Sequence, residues 1–147
     1  MGSGRLTVVV GLPGAGKSTF LGKMWRHVSG LCSEDFHANA IDDSPLVHNS
    51  RYYRKLIDDL LADRDCVIAD IAFCDPDRRA RLSEAVRREV PDVRVEWIYF
   101  ENAPDKCRRN IQRRARLGLN DDLAALERFS KLYVIPEGVT PIRVEED

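Results

Sequence analysis

Gly11-Leu12-Pro13-Gly14-Ala15-Gly16-Lys17-Ser18 is the stretch that decides how the rest of the chain is read. It fits G-x-x-x-x-G-K-[ST], in which glycines let several backbone amides converge on one anion while the lysine reaches over them. Upstream, Leu6 to Val10 is a largely β-branched apolar run that reads as a buried strand. Downstream, Phe20, Leu21, Met24, Trp25 and Val28 recur at the spacing of one helical face, which predicts a helix from about Lys17 to Val28. Strand, tight turn and helix N-terminus therefore meet at one point, where the partial positive charge of the helix end adds to that of Lys17. The bland alternative, a glycine-rich turn with a chance lysine, leaves these flanks unexplained. As a phosphate-binding loop, the backbone of Gly11, Gly14, Ala15, Gly16, Lys17, Ser18 and Thr19 would cradle a nucleotide's phosphates. Lys17 would reach the β- and γ-phosphates, Thr19 the α-phosphate, and the Ser18 hydroxyl a Mg²⁺ ion.

Strand and helix patterns alternate along the remaining chain. Phe36 to Ile41 is a weaker strand candidate, closed by Asp42-Asp43, and Ser44-Pro45 reads as a helix cap with proline at the first helical position. The helix behind it carries Leu56, Ile57, Leu60 and Leu61. Cys66 to Ile71 is a short apolar run of strand length. Asp75-Pro76 repeats the cap-and-proline signal and opens a helix that turns Leu82, Ala85, Val86 and Val90 inward. Val93 to Phe100 is a clear strand, and Ala103 to Leu117 a basic helix ended by Gly118. Asp121 can cap a last helix with Leu123, Leu126, Phe129 and Tyr133 on its apolar face, and Thr140 to Val144 is a candidate closing strand. This alternation implies βαβ crossovers and a three-layer α/β domain with a mostly parallel five-stranded sheet. Residues 1–147 form one domain on this reading, with a short helical lid at about 104–122.

Composition sets limits on what this domain binds. The 147 residues are enough for one domain with a real core. With 23 basic and 24 acidic residues the net charge is -1, so nothing draws the whole molecule to nucleic acid or to an anionic membrane, and phosphate binding must be local. Apolar runs such as Val8 to Val10 and Trp97 to Phe100 are far too short to cross a bilayer. Met1-Gly2-Ser3-Gly4 reads either as a natural start or as an expression scar, and without a signal-like N-terminus the expectation is a cytoplasmic protein. Cys32, Cys66, Cys74 and Cys107 lack C-x-x-C spacing and read as free thiols, mostly in the core. His27, His37 and His48 show no metal-ligand spacing.

A phosphate-binding loop fixes nucleotide binding but not the reaction. The N-K-x-D and D-x-x-G signatures of GTPases are missing, as is the transporter L-S-G-G-Q, and the length argues against an AAA+ module with its own lid domain. What remains is specific in its order. The loop, Asp42-Asp43 after a second strand, Val67-Ile68-Ala69-Asp70 after a third, and Arg109-Asn110-x-x-Arg113 on a late helix resemble the small P-loop kinases, a group that includes the polynucleotide 5′-kinase domain, zeta-toxin-like and adenylate-kinase-like enzymes.

The resemblance implies an ATP- and Mg²⁺-dependent kinase that moves the γ-phosphoryl group to a hydroxyl. Asp42 resembles the catalytic carboxylate that takes the proton of the attacking hydroxyl, with Asp43 as the alternative base and helix capping as the alternative role. Asp70 resembles the carboxylate that holds Mg²⁺ at a strand end, against the plainer reading of a loop Asp. Lys17, Arg109 and Arg113 would stabilise charge on the transferring group. Arg109, Arg113 and Arg116 share one helical face, with Arg108 and Arg114 pointing elsewhere; a solvated basic face is the alternative. Gly118-Leu119-Asn120 would serve as the lid hinge.

The acceptor implied is a small molecule or nucleotide-like hydroxyl, with a nucleic-acid 5′ end as the alternative. Polynucleotide kinases place an Arg three residues after the catalytic Asp, where this chain has Pro45; Arg51 or Arg54 are the available substitutes. A second basic cluster, Arg78, Arg79, Arg81, Arg87 and Arg88, is either an acceptor patch or a solvated face, and Glu84 four residues before Arg88 favours the latter. A nucleotide-binding regulatory ATPase without an acceptor is the reading from another class.

Overall fold

The computed structural model describes residues 4–33, 51–114 and 119–146, with the backbone alone for Arg51 and Tyr52. The second-strand candidate Phe36 to Ile41, the carboxylates Asp42 and Asp43, the Ser44-Pro45 cap, Arg116 and Gly118 lie outside the described residues. Strand β1 spans Arg5–Val10, and all of Leu6 to Val10 are buried although alternate side chains point to opposite faces. The sheet is therefore covered on both sides, as a parallel sheet requires. Strand β3, Cys66–Ala69, is buried throughout in the same way.

Helix α1 (Lys17–Met24) follows β1, and strand β2 (Cys32–Ser33) precedes helix α2 (Arg51–Leu61). After β3 come helix α3 (Pro76–Glu89), strand β4 (Arg94–Tyr99), helix α4 (Pro104–Arg114) and helix α5 (Leu119–Leu132). Among the described residues these give an α/β fold with five helices and a four-stranded parallel sheet ordered β2-β3-β1-β4. The chain builds to one side of β1 and then crosses it to lay β4 on the other. The carboxyl end of β1 thus lies at a change in strand order, where open α/β sheets bind ligands.

Element ends account for most departures from the pattern reading. Helix α1 gives way to a 3-10 turn at Trp25–His27, which leaves Trp25 exposed under the Arg26 guanidinium instead of on the apolar face. Tyr53, Leu56, Ile57 and Leu60 bury the inner side of α2, whereas Leu61, one step round the helix, is exposed. The carboxylate of Asp75 does cap α3, accepting from the Asp77 amide at 2.9 Å, and Leu82, Ala85, Val86 and Val90 are buried as expected. Asp121 does not cap α5, because the helix already begins at Leu119.

The fifth strand is not formed among the described residues. Thr140 to Val144 contributes a single parallel bridge, Phe100 with Ile142, through two backbone hydrogen bonds of 2.8 Å. One rung is too little for a strand, yet Val144 enters the core. Tyr133, just past α5, ties this end of the sheet together: its buried hydroxyl donates to the carbonyl of Phe100 and, at 3.4 Å, to that of Val10. Burial holds the phenol well above its ordinary pKa, so it remains a donor. Tyr133→Phe removes that donor and keeps the ring, and is expected to cost about 1–2 kcal/mol of stability in denaturant unfolding.

Candidate functional site

The glycine-rich segment closes tightly between β1 and α1. Its Ala15 amide donates to the Leu12 carbonyl at 3.0 Å, and Gly14 and Gly16 adopt φ of 82° and 111°. Left-handed backbone of this kind is the reason for glycine at both positions. Lys17, the first residue of α1, turns back over the loop and donates from Nζ to the carbonyls of Gly11 and Leu12 at 2.7 and 2.8 Å. Gly11 itself sits beneath the loop, wedged between Ala15 and Phe100. The ring of Phe100 meets that of Phe20 edge-on, with centroids 6.2 Å apart, so the loop rests on a firm aromatic floor.

Two adjoining cavities open from this loop. The larger, of about 620 Å³, is lined by Gly14, Gly16, Lys17, Ser18 and Thr19 of the loop together with Asp70, Arg114 and Asp122. The smaller, of about 270 Å³, runs from Gly16, Thr19 and Phe20 to a wall made by Ile142, Arg143, Glu145 and Glu146. Gly16, Thr19 and Arg114 border both, so one extended molecule could occupy the pair.

Asp70 ends β3 and turns the chain into a 3-10 turn, Ile71–Cys74, its carboxylate accepting from the Ala72 amide at 3.4 Å. It shares the larger cavity with the Ser18 hydroxyl. That pair suits Mg²⁺, which takes one or two hard protein oxygens and completes its shell with phosphate and water. No group of three or more His, Cys, Asp or Glu suited to a metal occurs among the described residues.

The arginines fall differently from the helical-face reading. Arg109 forms an ion pair with Glu146 in the C-terminal wall, and Arg113 is exposed; neither lines the two cavities. Arg114, set by spacing on another face, lines both. The reason lies in how α4 is anchored. Its first turns are core, with Cys107, Asn110 and Ile111 buried, and the helix packs directly on Gly14; Asn110 also lines the smaller cavity, and Arg114, in the last turn, lines both. Of the stretch 104–122, Arg114 and Asp122 line the larger cavity, and residues 115–118 lie outside the described residues. Leu119 and Asn120, expected as a hinge, belong to the first turn of α5.

Arg79, read from the sequence as part of an acceptor patch or solvated face, and Asn110, read only as part of the late-helix motif, are both buried. Arg79 donates to the carbonyls of Phe73 and Val134 at 3.1 and 2.7 Å and lies 5.2 Å over the Tyr99 ring, so it holds the fold together and does not belong to an acceptor patch. Arg88 pairs with Glu84 at 3.1 Å on an exposed face. The cysteines are free; burial pushes the thiols of Cys66 and Cys74 up to about 12 and that of Cys107 up to about 11, which removes them as nucleophiles.

The C-terminal wall is held at several points. Glu101 accepts from the Val144 amide and from Lys106, both at 2.9 Å, and the Lys106 hydrogen bond keeps its carboxyl below the ordinary range. The ion pair with Arg109 does the same for Glu146. Among the described residues no helix is long and apolar enough to cross a membrane.

An uncharacterized protein of Acanthamoeba polyphaga mimivirus is 27% identical over 133 residues, covering 89% of this chain and 87% of that protein. A family profile described as an AAA domain matches residues 6–134, from β1 to just past α5. The chain belongs to this AAA-domain family, a kinase-like family of P-loop NTPases of the kind found in polynucleotide kinase and zeta-toxin-like proteins.

Proposed function

We propose that this protein is a kinase that transfers the γ-phosphoryl group of ATP to a hydroxyl of a small molecule or nucleotide-like acceptor, with Mg²⁺. The observation that carries the reading is the larger cavity, where Lys17 and Ser18 of the loop share one space with Asp70, Arg114 and Asp122. Cations and hard carboxylate oxygens gathered in one cleft are what phosphoryl transfer needs, since the protein's task there is positioning and charge stabilisation. The triphosphate lies over the loop and the nucleoside extends past Thr19 into the smaller cavity. Ser18 and Asp70 would hold Mg²⁺, whose charge would offset that of the phosphates. Asp42 serves as the base for the acceptor hydroxyl, with Asp43 as the alternative, and Arg109 and Arg113 join Arg114 around the phosphates when nucleotide is bound.

Against a nucleic-acid acceptor stand two members of the second basic cluster: Arg79 is buried and Arg88 pairs with Glu84. Incubation with γ-labelled ATP and Mg²⁺ against nucleosides, nucleotides, sugars, amino-alcohol antibiotics and 5′-hydroxyl oligonucleotides tests the reading. Label on a small hydroxyl compound is the expected result. Label on the oligonucleotide alone would make the protein a polynucleotide kinase, and label released only as free phosphate would favour a regulatory ATPase. With the acceptor in hand, Asp42→Asn is expected to keep ATP affinity and lower transfer about a hundredfold. Equal transfer by the two proteins would remove Asp42 as the base.

A further inference from the structure

Asn110 is 1% exposed, and its side-chain amide donates two hydrogen bonds to parts of the chain far apart in sequence: to the Gly14 carbonyl at 3.0 Å and to the Glu145 carbonyl at 2.8 Å. An amide nitrogen carries two hydrogens, so both are committed. The first contact completes a grip on the Gly14–Ala15 peptide, whose N–H is already bonded to the Leu12 carbonyl at 3.0 Å. With its carbonyl and its N–H both fixed, that peptide plane cannot rotate, and the loop backbone on either side inherits its orientation. The second contact holds the wall of the smaller cavity, to which Asn110 also contributes. Gly14 packs against the Cys107 carbonyl of the same helix, so α4 braces the loop sterically as well.

We propose that Asn110 is a positioning residue of the nucleotide site: one buried amide sets the spacing between the phosphate loop and the 142–146 wall, so that the phosphate and nucleoside halves of a ligand meet a single rigid unit. The proposal rests on the nucleotide-binding reading above. Its chemistry is that of a donor with no charge, suited to two backbone carbonyls and leaving the phosphate charge to Lys17 and Arg114. A residue that only stabilised the fold would lower the melting temperature without changing affinity in the folded protein. Asn110 should instead change how well, and how jointly, the two cavities are occupied.

The test uses the whole chain with Mg²⁺ and two probes, ADP and inorganic tripolyphosphate, the second lacking any base or sugar. Asn110→Ala, at a temperature where circular dichroism shows it folded, loses both hydrogen bonds and is expected to bind ADP about tenfold more weakly. A change under threefold overturns the proposal. Hydrogen exchange on the unaltered protein reads the same coupling without a variant, should Asn110→Ala fail to fold. Tripolyphosphate, bound at the loop alone, is expected to slow exchange of amides in 142–146, and protection confined to 11–19 overturns the proposal. Failure of the unaltered protein to bind either probe would instead refute the nucleotide reading itself.

Discussion

Lys17→Ala is expected to lower ATP turnover about a thousandfold and to weaken ATP binding measurably, while leaving the protein folded. Lys17 Nζ lies across the loop on the Gly11 and Leu12 carbonyls, at 2.7 and 2.8 Å. Those acceptors hold the ammonium over the site where phosphate oxygens arrive, and exchanging a carbonyl for a charged oxygen strengthens each hydrogen bond. As charge spreads over the transferring group, a prepositioned cation in a walled cleft stabilises the transition state more than the ground state; loss of one such donor typically costs 10²–10³ in rate. Lys17 is absent from the hydrophobic core, so its substitution leaves the core packing intact. Titration calorimetry with ATP and Mg²⁺, beside release of labelled phosphate, checks both halves of the result. Unchanged affinity and turnover would remove the loop from the function altogether.

How much of this was readable beforehand depends on the range of the interactions involved. Strand β1, the loop and the Asp75 cap of α3 are local: each is fixed by residues within a few positions of one another, and the pattern of apolar and capping residues carries them directly. The placement of Ser18 and Asp70 in one cavity followed from the same local signals plus the rule for strand ends. Tyr133, Asn110 and Arg79 were not readable, because each binds carbonyls that only the tertiary fold brings near, and a carbonyl has no sequence signature. Helical spacing put Arg109, Arg113 and Arg116 on one face without saying which face the core would claim. The burial of Cys107 and Ile111 decided that, and turned Arg114 toward the cavities. Leu61 and Trp25 were assigned to apolar faces because periodicity ignores where an element stops.

Gly14→Ala is expected to abolish nucleotide binding and to destabilise the protein by about 3 kcal/mol, more than its backbone conformation alone would cost. Gly14 and Gly138 share nearly the same φ, 82° and 83°, so an alanine at either carries a left-handed penalty of about 1–2 kcal/mol. Around Gly138 nothing lies within 4 Å of an added Cβ, whereas at Gly14 that atom would stand 2.6 Å from the Cys107 carbonyl oxygen and 3.0 Å from Ile111 Cγ1. A carbonyl inside a helix cannot swing aside as a side chain can. Nor can α4 retreat, because Cys107 and Ile111 are core residues and Asn110 between them is tied to both the loop and the C-terminal wall. The loop must therefore give way, and Gly16 and Lys17, immediately downstream, move with it. Overpacking of this kind adds about 1–3 kcal/mol to the backbone term. Gly138→Ala supplies the matched control: it should lose about 1 kcal/mol in denaturant unfolding and bind ATP like the unaltered protein. If the two alanines proved equally destabilising and both bound ATP normally, the close packing of α4 on the phosphate loop would be refuted, and with it the steric reason for glycine at position 14.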